Sequence, residues 1–290
     1  MRRVAIVGLG LIGGSVGLAL ENAKAVGLER VGFARRAEVA SKAVSIGAVD
    51  RAEGDLISAV EDANLVIIAT PPMAIREILA QIGERLPPGC IVTDTASTKA
   101  QVMKWAQELL PPSVSFIGGH PMAGKETFGI EAADADLFRG CIYCLVPGGN
   151  ADSEAIDFVS GLVKRIGAIP LFLDAAEHDS LVAGISHLPL LVSAALMSVT
   201  MKSHSWPQMS RLAASGFRDL SRLASGNPEM SRDICITNKE PILRGIDEFL
   251  KELGEFRRLV SEDGKELGQA FLRAQEGRER WLRGMEGERI

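Results

Sequence analysis

The chain has 290 residues, 47% of them hydrophobic and 24% charged, so it holds enough apolar material for a buried core and enough length for one large or two ordinary domains. A disulfide-stapled miniature and a disordered chain are both excluded. Its 32 Lys+Arg stand against 37 Asp+Glu, with no basic surplus in either half, so no nucleic-acid partner is expected.

The start, Met1-Arg2-Arg3 followed by an uncharged run to Leu20, superficially matches a signal peptide, but glycines at 8, 10, 13, 14 and 17 have no use in a secretory apolar segment. Short apolar runs at residues 4–7, 30–34, 65–69, 91–94, 115–118, 142–146 and 170–173 predict strands. Helical patterns fill most intervals, at 13–22, 38–45, 73–80, 99–110 and 153–166. That alternation predicts βαβ crossovers, a mainly parallel Rossmann-like sheet covered on both faces, and ligands beyond the carboxyl ends of its strands. The pair Cys141 and Cys144 falls on a strand, where positions three apart face opposite sides, so no metal site is expected. The four scattered cysteines fit a reducing cytoplasm.

Past Asp174 the strand signal stops and helices take over. The run 188–201 is apolar nearly all round, which places it in a core or a subunit interface; at 14 residues with Pro189 inside, it is too short to span a bilayer. From Ile242 the residues Ile246, Phe249, Leu250, Leu253, Phe256, Leu259 and Val260 recur at the three-and-four spacing of one helix face. The stretch from Gly277 reads as a frayed, solvated helix. The expected organisation is a dinucleotide-binding domain at 1–173 and an all-α substrate and dimerisation domain at 174–290, with a homodimer formed through the latter. No membrane partner is expected, and no further module before Val4 or after Ile290.

The first strand runs directly into Gly8-Leu9-Gly10-Leu11-Ile12-Gly13, which opens a helix. The first glycine allows the tight turn, the second lets a pyrophosphate approach the backbone, and the third lets helix and strand pack closely, with the anion at the helix N-terminus. About twenty residues on, where an acid would hold the ribose 2′-hydroxyl of NAD, the chain has Ala34-Arg35-Arg36. Arginine there pairs with a 2′-phosphate, so NADP is favoured; two solvated arginines, with Glu38 serving the ribose of NAD, is the alternative. Thr70 and Pro71 follow the fourth strand and flank the cofactor.

The chain has four histidines. His120 sits in a loop after the strand 115–118, at the ligand-facing edge, and imidazole suits proton transfer near neutral pH. Ser97 follows the strand 91–94 and reads both as an N-cap and as a site hydroxyl. His187 stands among apolar residues, as a core histidine or a pocket wall. His178 reads as solvated or interdomain, and His204 as surface.

The segments Gly8–Gly14, Asp94–Lys99, Gly118-Gly119-His120-Pro121-Met122-Ala123-Gly124 with Glu126 and Gly129, Ile185-Ser186-His187-Leu188-Pro189, and Ser215-Gly216-Phe217-Arg218-Asp219 together resemble the prephenate/arogenate dehydrogenase family of tyrosine biosynthesis. The resemblance implies oxidation of a cyclohexadiene 4-hydroxyl, hydride transfer to NAD(P) and loss of the ring carboxylate. It implies His120 as the catalytic base and Ser97 as its orienting hydroxyl. Arg218 would grip a substrate carboxylate, His187 line the pocket, and Glu126 stand at its mouth. Lys125 occupies a position often filled by a small hydroxyl residue and joins the substrate-binding set. Arg218 alone would read as a plain helix charge; only its motif raises it. Prephenate and arogenate are not separated by sequence, nor is feedback inhibition by tyrosine. Two rivals stand: another hydroxyacid dehydrogenase or imine reductase, disfavoured because no lysine occurs between Arg165 and Lys202, and a non-catalytic NADP-sensing protein.

Overall fold

A computed structural model of the chain describes residues 2–24, 27–125, 127–262 and 264–287, with side chains to residue 284. By internal packing it divides into two compact units, 1–242 and 243–290.

The first unit opens with alternating elements: β1 (Arg2–Val7), α1 (Leu11–Asn22), β2 (Leu28–Phe33), α2 (Ala37–Ser45), β3 (Arg51–Glu53), α3 (Leu56–Val60), β4 (Leu65–Ile68), α4 (Pro72–Ile82), β5 (Ile91–Asp94), α5 (Ala100–Leu109), β6 (Ser115–Pro121), β7 (Ile142–Pro147), α6 (Ser153–Arg165) and β8 (Ile169–Phe172). They form one eight-stranded sheet in the order β3-β2-β1-β4-β5-β6-β7-β8, parallel throughout except that β6 and β7 pair antiparallel. The order reverses between β1 and β4, the crevice where doubly wound sheets bind nucleotides.

The continuous apolar strands follow from burial on both faces. In β1, Val4 and Ile6 pack with Leu65, Ile67 and Leu145 on one face, while Ala5 and Val7 pack with Val66, Ile68 and Val92 on the other. The period of two splits each strand between two cores. Seven of the eight strands match the predicted runs. β3 does not, because Arg51-Ala52-Glu53 has no apolar signature and is held by its ladder to β2.

Helices follow: α7 (Ala175–Val182), a π-helical turn over Ala183–His187, α8 (Leu188–Met201), α9 (Trp206–Leu212), α10 (Ser215–Ser221), α11 (Pro228–Thr237) and α12 (Lys239–Ser261). Pro189 has no N–H for the carbonyl four residues back, and the wider turn just before it absorbs that gap. α7, the turn and α8 make one helical run, Ala175–Met201, of 27 residues, long and apolar enough to cross a membrane by length and composition alone. The 14-residue limit expected from sequence is therefore corrected. The run nevertheless buries His178, Asp179 and His187 against the sheet's carboxyl edge. Of α8 itself only Ser193 is fully buried, so it is not a core helix of the single chain. Val199 and Met201 on it are exposed, as are Leu181 and Ile185 before it and Leu212 and Leu220 after it.

Carboxylates join these later helices to the sheet layer. Asp179 accepts from the backbone N–H of Lys99 (2.7 Å) and Ala100 (2.9 Å), capping α5. Asp233 of α11 accepts from the Met73 N–H at 3.2 Å, capping α4. Thr98 and Thr237 share a buried hydroxyl hydrogen bond of 2.8 Å.

The second unit holds most of α12 and then α13 (Gly264–Gly287). Phe256 and Phe271 meet at 5.6 Å between ring centroids, and Arg258 bridges Glu255, Glu262 and Glu266. Of the predicted stripe, Leu259 is buried, while Phe249, Leu250, Leu253 and Val260 are exposed on this chain. The tail from Gly277, expected to fray, is helical to Gly287.

Candidate active site

At the crossover between β1 and β4 the chain leaves a cavity of about 540 Å³, lined by Gly8, Leu9 and Gly10, by Arg35 and Arg36, by Thr70 and Pro71, and on the far side by Gly129 and Ile130. Gly8 has φ +98°, and a Cβ there would stand 2.5 Å from the Ala69 carbonyl oxygen. A side chain at Gly13 would strike the Gly8 carbonyl at 2.0 Å. Gly10 has open space instead, and it begins α1 without a side-chain cap or a first-turn acid. The result is a bare helix N-terminus facing a hollow, the arrangement that binds a pyrophosphate. The buried Thr70 hydroxyl has no partner among the described residues and is available to one in the cavity. These residues fit a dinucleotide. Leu11 and Ile12 start the helix and contribute its first turn.

Arg35 and Arg36 stand on the cavity wall just past the end of β2. Arg36 lies 3.7 Å from Glu38, with both side chains exposed, and Glu38 does not line the cavity.

His120 is on β6, not in a loop as expected from sequence: the antiparallel ladder with β7 extends the strand, setting His120 opposite Cys144. It keeps 7% exposure, and its Nδ1 lies 2.9 Å from Nε2 of His178. His178 Nδ1 lies 2.8 Å from Oδ1 of Asp179. His178 is fully buried, which corrects its reading as solvated. Beneath His120, Lys99 is also fully buried; its ammonium donates to Asp94 and to the Gly119 carbonyl at 2.7 Å. Asp94 further accepts from the N–H groups of Ala96 (2.8 Å) and Gly119 (3.1 Å). Burial, joined by His178, Lys99 and His187, holds the His120 imidazole well below its ordinary range, so it is neutral at pH 7.

His187 ends the π turn. Its Nδ1 meets the Asn238 amide nitrogen at 3.0 Å, and that amide also donates to the Asp179 carbonyl at 2.8 Å. Burial brings His187 down to about 4 against the upward pull of Asp179, and the Ser97 backbone lies against it. Its Nε2 and the Asn238 Oδ1 are buried without partners among the described residues.

The structure thus gathers His120, Ser97 and His187, and adds His178, Asp179, Lys99, Asp94 and Asn238. Ser97 is not the cap expected for α5, since that helix starts at Ala100 with no cap from a neighbouring side chain and Asp179 does the work. The Ser97 hydroxyl is left without a protein partner among the described residues. Lys125 pairs with Asp134 at 2.7 Å, and Glu126 lies outside the described residues. Arg218 is on α10, exposed; α10 packs on α8, and the turn after it donates from the Ala224 N–H to the buried Ser193 hydroxyl of α8 at 3.0 Å.

Comparison with known proteins gives one consistent result. Residues 18–170 match the family model for a prephenate dehydrogenase nucleotide-binding domain, and 174–273 that for a prephenate dehydrogenase dimerization domain. The prephenate dehydrogenase of Bacillus subtilis is 37% identical over 282 residues, covering 95% of this chain and 75% of that protein. Among solved structures, the prephenate dehydrogenase of A. aeolicus with hydroxyphenyl propionate and NAD+ superposes with a TM-score of 0.89 at 30% identity, covering 97% of this chain and 98% of that one. The arogenate dehydrogenase of Synechocystis gives 0.80 at 32%, covering 97% and 100%.

Proposed function

The chain belongs to the prephenate dehydrogenase family, and from that premise we propose the reaction its own residues carry out: oxidative decarboxylation of prephenate or arogenate by an NAD(P)-dependent dehydrogenase of tyrosine biosynthesis. The observation that carries this reading is His120, neutral, with an Nε2 that makes no hydrogen bond among the described residues, at the strand edge that also holds the glycine cradle.

A bound nicotinamide supplies the hydride acceptor. The protein supplies the base: His120 Nε2 takes the proton from the substrate 4-hydroxyl as hydride leaves the same carbon. The bond from ring to carboxylate then breaks, its electron pair completes the aromatic ring, and carbon dioxide departs. Removing the hydroxyl proton in concert relieves positive charge at the oxidised carbon. The Ser97 hydroxyl, without a partner among the described residues, serves to orient His120, and the His187 Nε2, likewise without a partner among them, meets a polar group of the substrate. Arg218 presents its planar fork to a substrate carboxylate, and Lys125 joins the substrate-binding set; a role for Glu126 rests on the family resemblance alone. Initial rates with prephenate and with arogenate test the reading, and absence of turnover with both refutes it.

For the cofactor we favour NADP, because Arg35 and Arg36 line the cavity where an acid would serve NAD. Replacing both with alanine weakens NADP binding by about 1–3 kcal/mol per lost charge-assisted contact and leaves NAD nearly unchanged. Titration with both cofactors checks this, and equal affinities in the unaltered protein contradict it.

We also propose the organisation as a dinucleotide-binding domain at 1–173 and a helical domain at 174–290 that pairs two copies in the cytoplasm. Support comes from the exposed apolar residues of α7, α8 and α10 and, in the second unit, of α12, side chains that pairing of two copies would cover. Light scattering at micromolar concentration should give twice the 31.0 kDa chain mass; a stable monomer overturns it.

A further inference from the structure

The relation between His120, His178 and Asp179 goes beyond naming a base. We propose that His178, anchored by Asp179, is the positioning residue that fixes His120 in the tautomer with its proton on Nδ1, leaving Nε2 bare to accept the substrate proton. The proposal rests on the reaction assigned above.

The inference follows from which atoms can donate. The Asp179 carboxylate accepts only, and it is pinned by two backbone N–H groups at the start of α5. His178 Nδ1, 2.8 Å from it, therefore carries hydrogen and donates. A neutral imidazole has one N–H, so His178 Nε2 is an acceptor, and its partner at 2.9 Å, His120 Nδ1, must be the donor. The proton of His120 is thereby placed on the side away from its free Nε2. Reverse any one link and the proton moves to Nε2, leaving no base. When Nε2 takes up the substrate proton, the Nδ1–H of His120 stays on His178, and Asp179 stands behind it with a negative charge. No proton has to leave the trio.

Other groups facing His120 do not set this order. Lys99, just before α5, and His187, in the π turn, act on it, and Cys144 lies across the ladder. Lys99 spends its hydrogens on Asp94 and Gly119, and His187 is held by Asn238. The interplanar angle of 71° between the His120 and His178 rings suits an in-plane N–H aimed at a lone pair rather than stacking.

The test uses the full-length protein with 15N-labelled histidine. With only four histidines, single substitutions assign the side-chain spectrum. The unaltered protein without ligands should show His120 protonated at Nδ1. In His178→Phe this preference is lost, and kcat falls about 10–10²-fold with little change in the KM of either substrate. His178→Gln, whose carbonyl can accept from Nδ1 in place of the ring nitrogen, should restore the tautomer and most of kcat. Asp179→Asn should also disturb the tautomer and lower kcat. A His120 protonated at Nε2 in the unaltered protein overturns the proposal, and so does a folded His178→Phe that keeps both tautomer and kcat. Should His178→Phe fail to fold, the Gln and Asp179→Asn variants decide by the same spectrum. If the unaltered protein turns over neither prephenate nor arogenate, the assigned reaction fails while the spectrum still answers the question of the tautomer.

Discussion

His120→Ala lowers kcat by about 10²–10⁴ with little change in KM, because the interaction removed is made mainly in the transition state. Arg218→Ala gives the opposite pattern, a raised KM with a smaller loss in kcat, since an ion pair to the substrate carboxylate stabilises the bound ground state too. The pH profile adds a sign. An unperturbed imidazole titrates near 6.5, and sequence alone places the acidic limb of kcat near 6–7. Burial and the neighbouring His178, Lys99 and His187 hold His120 well below that. A base with a lowered pKa stays unprotonated to lower pH, so the limb moves below 6.5, with activity lost only as pH falls through the lowered value. A limb at or above 6.5, or one that survives His120→Ala, would place the base elsewhere.

Lys99→Met should be among the most destabilising single changes in the chain. Lys99 and Asp94 are both fully buried, and removing one partner of a buried pair leaves an uncompensated charge, at about 3–5 kcal/mol. For a domain of this size that lowers Tm by roughly 10 °C. Asp94 keeps its bonds from Ala96 and Gly119, so it retains some stabilisation but has lost its counter-charge. Adding Asp94→Asn to Lys99→Met should recover part of the loss in calorimetry, because the stranded charge goes with it. A single variant with unaltered Tm would show that the pair is dispensable. The change also reaches the reaction: Lys99 and Asp94 grip both backbone groups of Gly119, the residue before the proposed base His120, so kcat is expected to fall with Tm.

What could be read from the sequence was what repeats or stands next to something that does. The run at 65–68 is apolar at every position because both faces are covered, while 91–94 pairs Ile91 and Val92 with the polar Thr93 and Asp94; both runs match their strands almost to the residue. The glycine cradle announces itself by its spacing directly after the first strand: Gly13 answers the nearby Gly8 carbonyl and Gly8 the Ala69 carbonyl of the neighbouring strand end, while Gly10 keeps the helix start open. His120 was legible from its place at a strand end, though not its place on the strand, because the extension of β6 depends on pairing with β7, a segment more than twenty residues further on. His178 was missed because Glu177-His178-Asp179 has the composition of a surface turn. A fainter signal was present: His178 and Asp179 share a helix face with Val182 and Ala183, at the four-residue spacing, and all four are buried. Polar residues on a stripe with apolar ones are candidates for a buried network. Ser97 was read as a cap because caps are usually local, whereas the α5 cap arrives from a residue 80 positions away.

That remote capping bears on how such a protein can be taken apart. The N-termini of α4 and α5 lie at the carboxyl edge of the sheet, and both are closed by acids from the later helices, Asp233 and Asp179. Cutting the chain near residue 173 would leave two helix ends in the nucleotide-binding layer with open N–H groups at the edge where chemistry occurs. The seam between the two segments is therefore a poor place for recombination: a grafted helical region would have to bring an acid to the same two heights, and one of those acids also orders the histidines.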